Sequence, residues 1–269
     1  MLRESIPWKD FLPPFKIFGN LYFVGSMPAS THIIDTGEGL IMIDSGYQHS
    51  LYMVIHNMHL LGLNPADIKY IFHTHGHIDH MGATRALVEL TGATTVIGEA
   101  DRDYVNGTRN LSWADELEIR HFGNFEPDIL LKDGDEITLG NTTIKAIATP
   151  GHTEGAMSFF FDVTDGKTTY RAGLPGGMGL NSMKKDFLEK YNLPLSLRDD
   201  FIKSMDRLAE EKVDIYLGNH ASQNRTPEKL EKLKKGDELA FVNPNEWAAA
   251  MIQAKQSVLE LLEQERKEG

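Results

Sequence analysis

The feature that most constrains this chain is the octet His73-Thr74-His75-Gly76-His77-Ile78-Asp79-His80, which gathers five metal-capable side chains into one turn. A single register, His-x-His-x-Asp-His, takes in His75, His77, Asp79 and His80 and leaves His73 outside. The preceding residues, Lys69 to Phe72, read as a short buried strand, and those from about Asp79 to Leu90 as a helix. The octet is therefore a strand-to-helix loop. Two imidazoles two residues apart in an extended loop can reach one ion, and His75 and His77 have that spacing. Asp79 and His80 face another way once the chain turns into its helix, so they are better placed for a second ion.

Two further histidines stand at predicted strand ends in glycine-containing settings. His152 lies in Thr149-Pro150-Gly151-His152-Thr153-Glu154-Gly155 and His220 in Leu217-Gly218-Asn219-His220-Ala221-Ser222. Beside a four-ligand cluster both are ligand candidates. The chain has no cysteine, which excludes thiol redox chemistry, disulfides and Cys-ligated zinc together. Any ion must be held by His and carboxylate.

Net charge is -12, from 39 acidic against 27 basic residues, and there is no basic run to track a phosphate backbone. Nucleic acid is excluded as a partner, and a small-molecule substrate is expected. No apolar run approaches the roughly 18 residues of a membrane span. The N-terminal stretch from Met1 to Asp10 is polar, without a secretory leader, so the expected location is cytoplasmic.

Along the chain, apolar runs from Lys16 to Val24, Thr31 to Asp35 and Leu40 to Asp44 alternate with glycine turns and read as a β-meander. A helix from about Gln48 to Leu61 precedes the octet. Strand Thr94 to Ile97 and a helix from near Glu99 follow it. Asn106 to Asp128 shows no sustained period and reads as an excursion. Strands then return at Ile129 to Leu131, Glu136 to Leu139, Thr142 to Thr149, Ala156 to Asp162 and Thr168 to Ala172, with Asp133-Gly134 and Asp165-Gly166 as hairpin turns. A loop from Gly173 to about Ser196, a helix Leu197 to Glu210, a strand Asp214 to Leu217, and helices after Thr226 and Pro244 complete the pattern. In the last helix Trp247, Met251, Ala254, Val258 and Leu261 form one apolar stripe, expected to pack on a sheet. Sheet-rich then helix-rich, twice over, points to two sheets face to face with helices outside.

The set His75-x-His77-x-Asp79-His80, Pro150-Gly151-His152-Thr153 and the strand end Ile43-Asp44-Ser45-Gly46 resembles the metallo-β-lactamase fold superfamily. Within it the chain is most similar, along nearly its whole length, to the third subclass of class B metallo-β-lactamases. Pro14 to Gly25, Leu61 to Lys69, Asn219-His220-Ala221 and Phe241 to Asn245 carry that likeness. The resemblance implies an α/β, four-layer αββα sandwich formed by residues 1–269 as one domain. It implies two zinc ions per chain, the first held by His75, His77 and His152 and the second by Asp79, His80 and His220. Related glyoxalase II and acyl-homoserine lactonase enzymes carry a bridging Asp in an Ala-Gly-Asp stretch; here that stretch is Arg171-Ala172-Gly173-Leu174-Pro175, without the Asp. The lactamases place Ser or Thr nearby to hold the substrate carboxylate, where this chain has Leu174, Pro175, Gly176 and Gly177.

The expected activity is metal-dependent hydrolysis of an amide or ester, cyclic substrates such as a β-lactam or lactone included, with Asp79 orienting the attacking water. A non-lactamase thioester or lactone hydrolase, an iron-loaded oxidoreductase of the same fold and a binding protein with structural metals are the alternatives. Asp44 is a candidate to hold a ligand histidine from behind. His32 and His73 are neighbours of the site. His49, His56, His59 and His121 read as surface residues. Trp113, Phe122, Met178 and Tyr191, on the two long loops, are candidate substrate walls.

Overall fold

Period-two burial sorts the strand side chains between different cores, and this sets the layers. Leu40 and Met42 join one apolar cluster with Val54, Met58 and Leu87, whereas Ile41 and Ile43 join a second with Phe159 and Phe161. On the other sheet Phe159, Phe161 and Val163 face that same second cluster, and Phe160 faces away toward Trp247 and Phe201. The shared cluster is the interior between two sheets. The outer ones lie beneath helices.

The computed structural model describes residues 9–120 and 122–268. The polar stretch Met1 to Trp8 and the surface reading of His121 fall outside the described residues. Among these, the first sheet has the spatial order β1 (Phe15–Phe18), β2 (Leu21–Phe23), β3 (His32–Asp35), β4 (Leu40–Ile43), β5 (Ile68–Phe72), β6 (Thr94–Gly98), β7 (Ile129–Leu131). It is antiparallel up to β4 and parallel from β4 to β7. The second comprises β8 (Glu136–Leu139), β9 (Thr142–Ala148), β10 (Met157–Thr164), β11 (Thr169–Leu174) and β12 (Ile215–Tyr216), in spatial order from β12 down through β11, β10 and β9 to β8. Its neighbours are antiparallel except for β11 and β12.

The helices are α1 (Leu51–Leu60), α2 (Ile78–Met81), α3 (Thr84–Thr91), α4 (Arg102–Val105), α5 (Lys185–Lys190), α6 (Leu197–Ala209), α7 (Thr226–Lys234) and α8 (Glu246–Glu268). Helices α1 and α3 cover the first sheet, and α6 and α8 the second, giving the expected αββα sandwich. The α8 stripe packs through Trp247, Met251, Ala254 and Val258 as its spacing predicts, but its last contact is Leu262 and not Leu261. The Trp247 indole donates to Leu208 O at 2.6 Å and its ring meets Phe160 and Tyr216 edge-on. Among the described residues no helix is long and apolar enough to cross a membrane.

The structure corrects three sequence-based expectations. Asp133-Gly134 does not close a hairpin, because β7 and β8 belong to different sheets and this turn carries the chain between them. The helix expected from Asp79 to Leu90 is broken into α2 and α3. The His80 carbonyl, which would continue the helical ladder, instead accepts from Ser45 N at 2.7 Å. The segment Gly173 to Ser196 is not all loop, since β11 runs to Leu174 and α5 buries Phe187 and Leu188.

Strands β4, β5, β9, β11 and β12 all end at one edge of the sandwich. The loops leaving those ends carry Asp44, the octet, His152, the Pro175 to Gly179 stretch and His220. Residues far apart in sequence therefore meet at a single rim, outside the carboxyl ends of the strands.

Candidate metal centre

The octet leaves β5 and runs into α2. Its rings face those of the β9 and β12 loops: centroids lie 4.7 Å apart for His75 and His77, 4.6 Å for His75 and His152, 4.7 Å for His77 and His152, and 4.2 Å for His75 and His80. One ligand atom from each of His75, His77 and His152 falls within 4.8 Å of the others, as do those of His75, Asp79 and His80. His220 joins at the open side, its Nε2 3.7 Å from Asp79 Oδ2 and its ring 5.3 Å from His80. The two triplets share His75. His220 lies outside the second triplet as drawn by distance, although it adjoins both Asp79 and His80.

Most of these rings have one nitrogen engaged, which frees the other to bind an ion. His152 Nδ1 donates to Gly179 O at 2.8 Å, and His220 Nδ1 donates to Pro28 O. His80 Nδ1 donates to Asp44 Oδ2 at 2.8 Å. His75 Nδ1 pairs with Thr74 Oγ1 at 3.0 Å, and that hydroxyl donates onward to Asp44 Oδ2. Of the opposite nitrogens, His75 Nε2 is buried without a hydrogen-bond partner, whereas His80 Nε2 lies 3.1 Å from Asp79 Oδ2. A buried imidazole nitrogen lacking any partner is costly in a protein interior, and a cation among these atoms removes that cost. The donor set fits a metal such as zinc.

The electrostatics agree. Burial, reinforced by the neighbouring imidazoles, holds His75 and His77 well below the ordinary histidine range. Burial also lowers His152 to about 4, so these rings are neutral and keep their lone pairs. Burial opposes a charge on His80 as well, yet Asp79 and Asp44 on either side raise it to about 10. For Asp79, burial is outweighed by His80, His220 and His77, which keep its carboxyl below the usual carboxylate range. The locus between Asp79 and Asp44 thus favours positive charge.

Asp44 has the role expected of it from its strand-end position. At φ 58° it turns back to accept from Thr74 N and Thr74 Oγ1, each at 2.8 Å, besides His80. Asn219 Nδ2 adds a bond to Thr74 Oγ1 at 3.2 Å and one to Pro175 O at 2.9 Å, tying the loops of the two sheets together. Sequence reading missed Asn219, Thr74 and Asp101. The first stands beside a ligand candidate, which is a signal; Asp101 follows β6 like any acid at a helix start.

The remaining candidates divide. His73 is fully buried, with Nδ1 3.0 Å from Val96 O and Nε2 2.7 Å from Thr84 Oγ1, so it braces the loop away from the ligand set. His32 is buried edge-on to Phe23, and desolvation lowers it to about 4. His56 and His59 are exposed, and His49 is half-buried in a stack on Tyr47. Trp113 lies 6.2 Å from His77 and stacks on Phe187 at 5.0 Å, with its own backbone left-handed. Met178 falls between two glycines that pack against the His152 ring. Phe122 packs within the apolar cluster under the excursion, and Tyr191 donates to Glu116 while its ring meets Phe187. Trp113 therefore borders the cluster, whereas Met178 packs on the apolar cluster beneath α6 and α8, and Phe122 and Tyr191 join the flanking loops to the body.

A family model described as the metallo-beta-lactamase superfamily matches residues 24–165. The chain belongs to that superfamily. It is accordingly a metal-dependent hydrolase, built on the metallo-beta-lactamase fold. BJP-1, a subclass B3 metallo-beta-lactamase of Bradyrhizobium japonicum, has a solved structure that superposes with a TM-score of 0.87 at 28% identity, covering 97% of this chain and 98% of that one. YobT of Bacillus subtilis is 27% identical over 227 residues, 80% of this chain and 94% of that protein. A hydroxyacylglutathione hydrolase of Methylococcus capsulatus is 31% identical over 95 residues, only 35% of this chain and 30% of that enzyme.

The glycines at 177 and 179 have a physical reason within this metallo-beta-lactamase site. A Cβ on Gly177 would fall 2.4 Å from His152 Cδ2, and one on Gly179 would fall 3.1 Å from His152 Cε1. The stretch is a backbone wall behind a ligand candidate. Gly177→Ala, at φ +147°, is therefore expected to displace the His152 ring. Turnover should fall by about 100-fold, the penalty typical of a misplacement near 1 Å. Steady-state kinetics of the purified variant check this, and unchanged turnover would rule out the packing argument.

Proposed function

We propose that this protein is a dizinc hydrolase that cleaves an amide or ester bond in a small substrate, cyclic ones such as a β-lactam or lactone included. In this reading His75, His77 and His152 hold one ion, and Asp79, His80 and His220 hold the other. The observation that carries it is the buried, unpartnered Nε2 of His75, enclosed by the rings of His77, His80 and His152. The bound ions supply Lewis acidity and a nucleophile from water at neutral pH.

The chain's own groups do the rest. Asp79, held anionic by its histidine neighbours, would hold the second ion and orient the attacking water by accepting a hydrogen bond from it. Asp44 fixes the tautomer of His80 and, through Thr74, that of His75, so that each presents Nε2 inward. Three protein ligands per ion leave a position for water, as a catalytic rather than a structural centre requires. Substrate reaches the cluster from the His220 side, where that ring is 34% exposed, while His75, His77 and His80 are buried. Trp113, 6.2 Å from His77, then lines the approach.

A second reading, hydrolysis of a thioester or lactone, draws support from the local likeness to hydroxyacylglutathione hydrolase. The stretch from Leu174 to Gly177 offers neither a carboxylate nor a hydroxyl, so the anchoring of a substrate carboxylate found in lactamases has no equivalent there. A panel of a chromogenic cephalosporin, a lactone, a thioester and an aryl ester, assayed with zinc, after chelation and after zinc restoration, separates the two. Turnover of at least one class, lost on chelation and regained with zinc, is expected. A purified protein that carries iron and hydrolyses none of the four overturns the hydrolase reading.

A further inference from the structure

One buried carboxylate outside the ligand set joins the two loops that carry the first three histidines. Asp101 follows β6 on the short turn Glu99–Asp101 and is fully buried. Its Oδ2 accepts from Gly76 N at 2.8 Å and from Thr153 Oγ1 at 2.7 Å, and its Oδ1 accepts from Gly155 N at 2.7 Å. Gly76 lies between His75 and His77, and Thr153 is next to His152. The same side chain therefore grips both loops.

The surrounding backbone has no slack to replace it. A Cβ on Gly76 would meet Tyr104 Cβ at 2.7 Å, and one on Gly155 would meet Asp101 N at 2.3 Å. A Cβ on Gly98, at the end of β6, would meet Gly155 O at 2.0 Å. Main chain of the β6 turn and of the His152 loop meets at glycines 98 and 155, and the octet's Gly76 packs on the Tyr104 side chain. Asp101 is the one side chain among these contacts that accepts from both ligand loops.

We propose that Asp101 is a positioning residue for the first ion: it fixes the spacing of His75 and His77 against His152, and thereby the affinity of that three-histidine site. The proposal rests on the reading of those histidines as metal ligands. It assigns Asp101 no contact with substrate. Asp44 anchors the same octet through Thr74 and His80, so the octet is held on both sides by buried carboxylates, of which Asp44 alone bonds a histidine assigned to the second ion.

The test is zinc competition titration and cobalt(II) visible spectroscopy of the chelated full-length protein in wild-type form and as Asp101→Asn, Thr153→Val and Thr153→Ser. An amide at position 101 has one accepting oxygen in place of two, so Asp101→Asn should weaken the first ion by about 10- to 100-fold and shift its cobalt bands. Thr153→Val should weaken it less, by about 3- to 10-fold, as expected for one hydrogen bond of 0.5–1.5 kcal/mol. Thr153→Ser, which keeps the hydroxyl, should restore wild-type affinity and bands. Affinity within twofold of wild type and unchanged cobalt bands in both Asp101→Asn and Thr153→Val overturn the proposal. If Asp101→Asn fails to fold, the Thr153→Val and Thr153→Ser pair decides it. A wild type that binds no ion overturns the metal reading and this proposal with it, whereas a wild type that binds two ions beside unaffected variants overturns this proposal alone.

Discussion

Replacing His75 by Ala is expected to lower turnover by at least about 10³-fold while leaving the metal-free fold close to wild-type stability. The size follows from the several kcal/mol that an ion contributes at a polarised carbonyl, converted at 1.36 kcal/mol per tenfold. His75 is one of the three ligands assigned to the first ion, and its ring lies 4.2 Å from that of His80 beside the second, so its loss empties one site and loosens the edge of the other. The stability half of the expectation comes from the same orphaned atom. In the metal-free protein His75 Nε2 is buried without a partner, a cost of about 1–3 kcal/mol. Deleting the ring removes that cost and leaves a polar cavity that water can fill, and the two effects oppose each other. Kinetics, metal content and urea unfolding in chelator measure all three quantities. A variant retaining a tenth of wild-type turnover would remove His75 from the metal ligands.

Asp44→Ala should behave in the opposite manner, unfolding the protein more readily even without metal, by about 3–5 kcal/mol. The carboxylate accepts from Thr74 N, Thr74 Oγ1 and His80 Nδ1, and all three groups are buried. Stranding buried donors costs about 1–3 kcal/mol each, partly recovered by relaxation. The backbone at φ 58° adds about 1 kcal/mol more against Ala, since Asp tolerates the left-handed region better. Asp44→Asn keeps an acceptor and the backbone preference, so it should lose less than half as much. Urea midpoints in the presence of chelator decide the matter. A midpoint for Asp44→Ala equal to that of wild type would sink the argument. Together the two substitutions separate residues that bind the ion from residues that hold the protein in shape to bind it.

The sandwich was legible because its strands are short and alternate cleanly: Phe159, Phe160 and Phe161 go to opposite sides of one sheet, as period two requires. The octet was legible because metal ligation needs rare side chains at a spacing that chance seldom supplies. Local chemistry misled where tertiary partners decide. Asp133-Gly134 has the residues of a hairpin turn, but the strands beside it pair with other strands. The helix through His80 has only Gly82 as a weak point in its sequence, and it is Ser45, brought in from a different strand end, that takes the carbonyl which would have continued it. Asp101 was illegible for a related reason. Its donors come from residues 25 and more than 50 positions away, and nothing near it in sequence distinguishes it from a surface acid. The stretch from Leu174 to Gly177 reads from sequence as a missing grip on substrate. In three dimensions its Gly177 is where the backbone meets the His152 imidazole.

The bond from Asn219 to Thr74 spans 145 residues, and it joins a loop of the second sheet to the octet of the first. Closing so long a loop is entropically unfavourable until most of the intervening chain is already ordered. The histidines of the first sheet are therefore expected to meet His152 and His220 late in folding, once the two sheets have docked. An ion bound here would then lock a seam that the chain has already assembled.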